Sequence, residues 1–217
     1  MDADLFNSLW TATLETFYMV SISAVLATLF GLPLGLLLVI TAPKGFLANP
    51  TLHQGLGAIV NVGRSLPFII LLVAIIPLTR TIVGTTIGST AALVPLTLSA
   101  IPFFARVSET ALLEVDRGLI EAAESMGCDY GQIVRKVLIP EALPSLILGL
   151  TIMVISLIGY SAMAGVVGGG GLGDLAIRYG YQRFDTRIML ITVVLLIVLV
   201  QIVQFLGDSL ANRLRKR

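Results

Sequence analysis

Five intervals of this 217-residue chain carry no charged side chain: Thr16–Pro43, Ser65–Thr79, Thr81–Ala105, Ala142–Gly173 and Ile188–Gly207. An α-helix rises about 1.5 Å per residue, so about 20 apolar residues cross a hydrocarbon layer about 30 Å thick. Lipid offers no partner for backbone N–H and C=O groups, and an apolar run of this length satisfies them internally as a helix. The intervals therefore predict five spanning helices, at about 16–42, 56–79, 86–108, 143–167 and 188–210. The second interval is short, but uncharged Gly55–Gly63 extends it upstream. Arg64 can keep its stem in apolar surroundings with its charged head at the boundary. Charged residues make up 12% of the chain and mean hydropathy is +0.97. Soluble domains carry about 25% charge, so the fold class expected is an all-α integral membrane protein, one membrane domain over residues 1–217.

Lys or Arg at a bilayer centre costs about 2.5–3.5 kcal/mol, which drives such residues into the connections, and basic residues are retained on the cytoplasmic side. With the N-terminus outside, the inner side collects Lys44, Arg64, Arg106, Arg117, Arg135, Lys136, Arg213, Arg215, Lys216 and Arg217. The outer side keeps Arg80, Arg178, Arg183 and Arg187. Ten against four predicts the N-terminus outside and the C-terminus in the cytoplasm. Asp2 and Asp4 precede the first apolar run without a basic stretch, so no cleavable leader is expected. Pro33, Pro67, Pro95 and Pro102 fall within the spans, and Gly31 with Gly35 predicts close helix approach.

Between the third and fourth uncharged intervals stands a polar island, Glu121-Ala122-Ala123-Glu124-Ser125-Met126-Gly127, followed by Val137-Leu138-Ile139-Pro140. Ile120, Ala123 and Met126 recur at a spacing of three and share one side of a short helix. Glu121 and Glu124 flank that side. Gly127 suits a helix end in the left-handed conformation, and Asp129 can cap a second helix over Tyr130–Leu138. Pro140 is expected to mark the turn into the fourth span. The predicted product, over about 115–140, is a two-helix knob with an apolar face and a carboxylate rim, a shape suited to a groove on another protein.

The rest of the chemistry is sparse. One cysteine, Cys128, excludes an internal disulfide, and the single His53 falls in a connection. Neither a nucleophile–base pair nor clustered metal ligands can be assembled, which speaks against an enzyme. The spans lack the Asp, Glu or His relay of an ion-coupled secondary transporter. A net charge of +1 gives no reason to expect nucleic acid. Gly168-Gly169-Gly170-Gly171-Leu172-Gly173 follows a span, not a strand in water, and reads as a pliable backbone turn at the outer end of the fourth span. No Gly-x-x-x-x-Gly-Lys phosphate loop occurs, so this chain cannot bind ATP by that route, and any ATP-driven function would need ATP and Mg on a separate subunit.

The island resembles the cytoplasmic loop of ABC-importer membrane subunits. Their signature is Glu-Ala-Ala, three residues, Gly, nine residues, then Ile-x-Leu-Pro; Val137 and Ile139 stand here for the Ile and Leu. Arg64-Ser65-Leu66-Pro67-Phe68-Ile69-Ile70-Leu71-Leu72, Ile82-Val83-Gly84-Thr85-Thr86-Ile87-Gly88 and Gly159-Tyr160-Ser161-Ala162-Met163-Ala164-Gly165 are similar to the methionine-importer branch, and the resemblance spans the whole chain. It implies a multi-pass protein of the bacterial inner membrane, a second copy of the chain, two ATP-binding subunits and a substrate-binding lipoprotein outside. It implies ATPase coupling through Ile120, Glu121, Ala122, Ala123, Glu124, Met126, Gly127 and Pro140. Tyr160, Ser161 and Met163 are candidates for the path or its gate, where a thioether and a phenol could meet a methionine side chain. Plain helix packing accounts for them equally well. The expected cargo is methionine in its L form, with the D form, another amino acid or an osmolyte such as glycine betaine kept open.

Overall fold

The computed structural model describes residues 3–43 and 45–215. Asp2, Lys44, Lys216 and Arg217, used above, lie outside the described residues. Among the described residues there are helices and no strands. The first is α1, Ala3–Thr41, 39 residues and so about 58 Å long. Pro33 sits within it without ending it. α1 packs most extensively on α5, Ser89–Leu113. Gly31 and Gly35 explain how closely: a Cβ there would lie 2.9 Å from the Ile101 carbonyl oxygen and 2.5 Å from that of Ala105. The expected close approach at this pair is what the helices make.

The second span departs from expectation. In place of one helix the chain forms α2, Pro50–Ser65, and α3, Phe68–Ala74, bent by 98° at their junction, then α4, Ile76–Val83. Leu66 is extended (φ −79°, ψ 123°), as the residue before proline prefers, and Pro67 cannot donate to close the helix. Among the described residues four helices are long and apolar enough to cross a membrane, five if the bent pair is one span. His53 also differs from its expected place, being in the first turns of α2 with Nδ1 3.0 Å from the Leu38 carbonyl oxygen.

α5 leads to α6, Arg117–Ser125, and α7, Tyr130–Ile133. Pro140 does not turn the chain. A π-helical turn, Val134–Leu138, joins α7 to α8, Ile139–Gly165, so one helical run covers Tyr130–Gly165. The Ile139 N–H bonds to the Val134 carbonyl five residues back, and the widened turn admits the proline ring. α9, Gly171–Leu175, runs through a second π turn, Ala176–Tyr181, before α10, Thr186–Arg215. The core lies where α1, α5 and α8 meet, around Met19, Leu96, Phe104, Met153 and Leu157. α10 is the most peripheral: 6% of its apolar window is buried, against 33–39% for the other three. Its exposed Val194, Ile197 and Phe205 are side chains that lipid can cover.

Candidate functional site

Two regions at opposite ends of the helices carry the candidate residues. At one end α6 and α7 form the knob that the sequence predicts. Asp116 precedes α6 and its side chain accepts the Gly118 N–H at 2.7 Å. Sequence reasoning missed this cap, although an Asp directly before a helix is the usual signal. α6 closes at Gly127, whose φ of 77° is left-handed, while the Cys128 N–H reaches back to the Ala123 carbonyl at 3.1 Å. Asp129 then caps α7 by accepting from Gln132 N at 2.9 Å, and the Gln132 side chain accepts from Asp129 N. Each turn of the knob is thus fixed by its own polar groups.

The knob's apolar side is divided. Ala123 is buried and Ile120 packs partly against Leu112, Val115 and Leu138, anchoring α6 to the ends of α5 and α8. Met126 instead projects outward, 77% exposed. The common face expected for these three is therefore an anchor at two positions and a free thioether at the third. Glu121, Ala122, Glu124 and Gly127 are exposed on the outer side. Beneath them opens a cavity of about 650 Å³, floored by Leu112, Val115 and Leu138 and rimmed by Arg117, Glu121 and Glu124. Phe46, stacked on Tyr130 with ring centroids 5.6 Å apart, closes one wall. The Ser145 hydroxyl donates to Glu114 Oε2 at 2.9 Å and ties α8 to the end of α5. The exposed carboxylates and the hollow beneath them offer another protein a surface to dock on, tied to the ends of α5 and α8.

At the other end, Tyr160 is half-buried and stacks on Phe68 of α3, ring centroids 4.7 Å apart and planes within 7°. This contact fastens α8 to the segment just past the 98° bend. Ser161 is buried, its hydroxyl donating to the Ile158 carbonyl at 2.8 Å. Met163 is 47% exposed on the same face as Ser156 and Gly159, where nothing would meet a Cβ added at Gly159. Tyr160 and Met163 therefore come to one side of α8 while Ser161 turns into the core.

Two carboxylates that sequence reasoning left unassigned are buried. Glu109 bonds Arg106 at 2.6 Å near the end of α5, and Asp174 of α9 pairs with Arg178. Glu109 stands just past an uncharged interval, and Asp174 directly after the glycine stretch. Among the described residues no group of three or more His, Cys, Asp or Glu is placed to hold a metal.

The sequence model for binding-protein-dependent transport system inner membrane components matches residues 28–216. A Vibrio cholerae protein named "Probable D-methionine transport system permease protein MetI" is 58% identical, over 96% of this chain and 93% of its own length. The "Methionine import system permease protein MetP" of Bacillus subtilis is 44% identical, over 97% of this chain and 95% of its own. A solved chain described under inward-facing conformations of the MetNI methionine ABC transporter superposes with a TM-score of 0.97 at 49% identity, covering 99% of both chains.

Proposed function

From the premise that this chain belongs to the family of binding-protein-dependent transport system inner membrane components, we propose that it forms, as a pair of copies, the path of an ATP-driven methionine importer. One observation carries the reading: relatives named for methionine transport match at 44–58% identity over nearly the whole chain. The whole of 1–217 is then one transmembrane domain. Its N-terminus is outside, its C-terminus cytoplasmic, and the knob of α6 and α7 faces the cytoplasm. The arginine and lysine distribution supports that orientation.

In this reading ATP binding draws two partner ATPases together beneath the two knobs. Glu121, Ala122, Glu124, Met126 and Gly127 meet the ATPase, Ile120 and Ala123 hold the knob to its base, and Pro140 lies on the helix that carries motion into α8. Cycling is a shift between two packings, driven by nucleotide binding one of them better. A substrate-binding lipoprotein delivers the cargo from outside. Tyr160 and Met163 offer a ring and a thioether on one side of α8, and sulfur–aromatic contacts contribute about 0.3–1.5 kcal/mol. Ser161 is a path residue only if α8 turns during the cycle. Both enantiomers of methionine fit this chemistry, since neither group senses handedness at the α-carbon.

Vesicles containing this chain, its ATPase and its binding protein test the reading. They should accumulate labelled L-methionine only with ATP inside, and competition with D-methionine ranks the enantiomers. Preference for glycine betaine or another amino acid would overturn the methionine assignment. Uptake without ATP would overturn the importer itself.

A further inference from the structure

Glu15 has no task in the reading above, yet α1 carries it directly under the glycine turn. Its Oε2 accepts the Gly171 N–H at 2.7 Å, and the adjacent Thr16 hydroxyl oxygen accepts the Leu172 N–H at 2.9 Å. Thr16 in turn donates to the Ala12 carbonyl at 3.0 Å. Two consecutive acceptors on α1 thus meet two consecutive donors 156 positions further along the chain.

The turn is shaped around them. Gly170 and Gly171 have φ of 77° and 75°. A Cβ at Gly170 would lie 2.7 Å from Glu15 Oε2, and one at Gly171 2.6 Å from Thr16 Oγ1. From the other side α9 is seated on α8 without room for a methyl. A Cβ at Gly173 would be 2.4 Å from Ala162 Cα, and one at Gly165 2.2 Å from the Asp174 nitrogen. Every residue of α9 is buried. The residue before α5 also reaches the turn through a backbone bond, Gly88 N–H to Gly168 O at 2.8 Å. A stretch that composition suggests is pliable is therefore gripped on both sides.

A side-chain oxygen that accepts a backbone N–H holds it more firmly where water is scarce, and leaving that N–H without a partner there is costly. We propose that Glu15 is a positioning residue for transport: with Thr16 it clasps the glycine turn, so that the end of α8 bearing Tyr160 and Met163 moves with α1 as one body. Motion between the two packings is then absorbed elsewhere, at the Leu66–Pro67 break. The inference rests on the importer reading for its effect on uptake, but the clasp itself can be measured without uptake.

The assembled transporter is used throughout, with Cys128→Ser as background. Spin labels at Thr11→Cys on α1 and Tyr181→Cys beyond α9 report the distance across the clasp; the nucleotide-free and ATP-bound states should give the same distance. A change of more than about 2 Å, the scale of helix shifts in switching proteins, would overturn the one-body claim. Glu15→Ala should broaden that distance distribution and lower ATP-driven uptake about tenfold, the loss expected when a buried N–H is left without its acceptor. Glu15→Gln, which keeps an acceptor oxygen, should recover most of both. Unchanged uptake in Glu15→Ala at equal membrane level sinks the proposal, as does Glu15→Gln failing as badly as Ala. If Glu15→Ala does not reach the membrane, the label distance in the parent protein decides. Absence of uptake by the parent transporter would instead strike the importer reading and leave the distance result standing.

Discussion

The knob of α6 and α7 and the glycine turn before α9 both close a helix with glycine at positive φ, yet the two use it for opposite ends. Nothing lies within 4 Å of a Cβ placed on Gly127, so that glycine serves only the backbone's left-handed turn and leaves a free surface above it. Gly165, Gly170, Gly171 and Gly173 serve contact: each lets a backbone or side chain approach to a distance that a methyl would forbid. The knob therefore keeps a free surface above its glycine, whereas the glycine turn is filled by its own neighbours.

The largest effect expected from this contrast is at Gly173. A Val there would drive its Cβ into the Ala162 backbone, 2.4 Å away, where no flexible side chain can yield. Overpacking a well-filled core costs about 1–3 kcal/mol and more where backbone must move. Gly173→Val should lower the thermal unfolding midpoint in detergent and the amount of chain recovered from membranes. A midpoint equal to that of the parent would break the comparison, because the turn would then have slack.

Glu121→Lys should do the reverse. Glu121 is exposed and makes no ion pair among the described residues, so its reversal should leave stability within about 0.5 kcal/mol. ATP-driven uptake should fall about tenfold, because an inverted charge meets like charge or loses its partner in a protein interface. Normal uptake with the variant would remove the knob from the coupling path. A matching loss of stability would show that the rim is structural.

How much of this was legible beforehand follows from which physics each feature obeys. Lipid tolerates no unsatisfied backbone, so the long uncharged runs announced α1, α5, α8 and α10 as helices. The break in the second span was not legible, because hydropathy reports composition and not backbone continuity. Proline alone does not betray it: Pro33, Pro95, Pro102 and Pro144 sit in unbroken helices, whereas Pro67 follows an extended Leu66. Pro140 misled for a related reason, since the π turn that accommodates it leaves no mark in the residue pattern. Within the knob, Gly127 and Asp129 were readable because capping is local. The split of Ile120 and Ala123 from Met126 depends on where α5 ends, and Glu15 on a contact 156 residues away. Neither leaves a local trace.

The smallest effect, and the one that best sharpens the comparison, is at Asp129. Its carboxylate accepts from Gln132 N while the Gln132 side chain returns the bond, so the start of α7 rests on that reciprocal pair. Replacing such a cap by Ala typically costs about 1 kcal/mol. Because the helical run from Tyr130 continues unbroken to Gly165, the loss should stay at its first turn instead of unfolding the span. Hydrogen exchange should therefore quicken at Gly131, Gln132 and Ile133 in Asp129→Ala and stay unchanged at the amides of α9. Asp129→Asn, which keeps an acceptor oxygen, should restore the slow exchange. Uptake should fall only modestly, since the knob stays attached through Ala123 and Ile120. Faster exchange spreading to Gly171 and Leu172 would mean that local opening at the knob reaches the glycine turn, and that α1 does not hold that turn closed on its own.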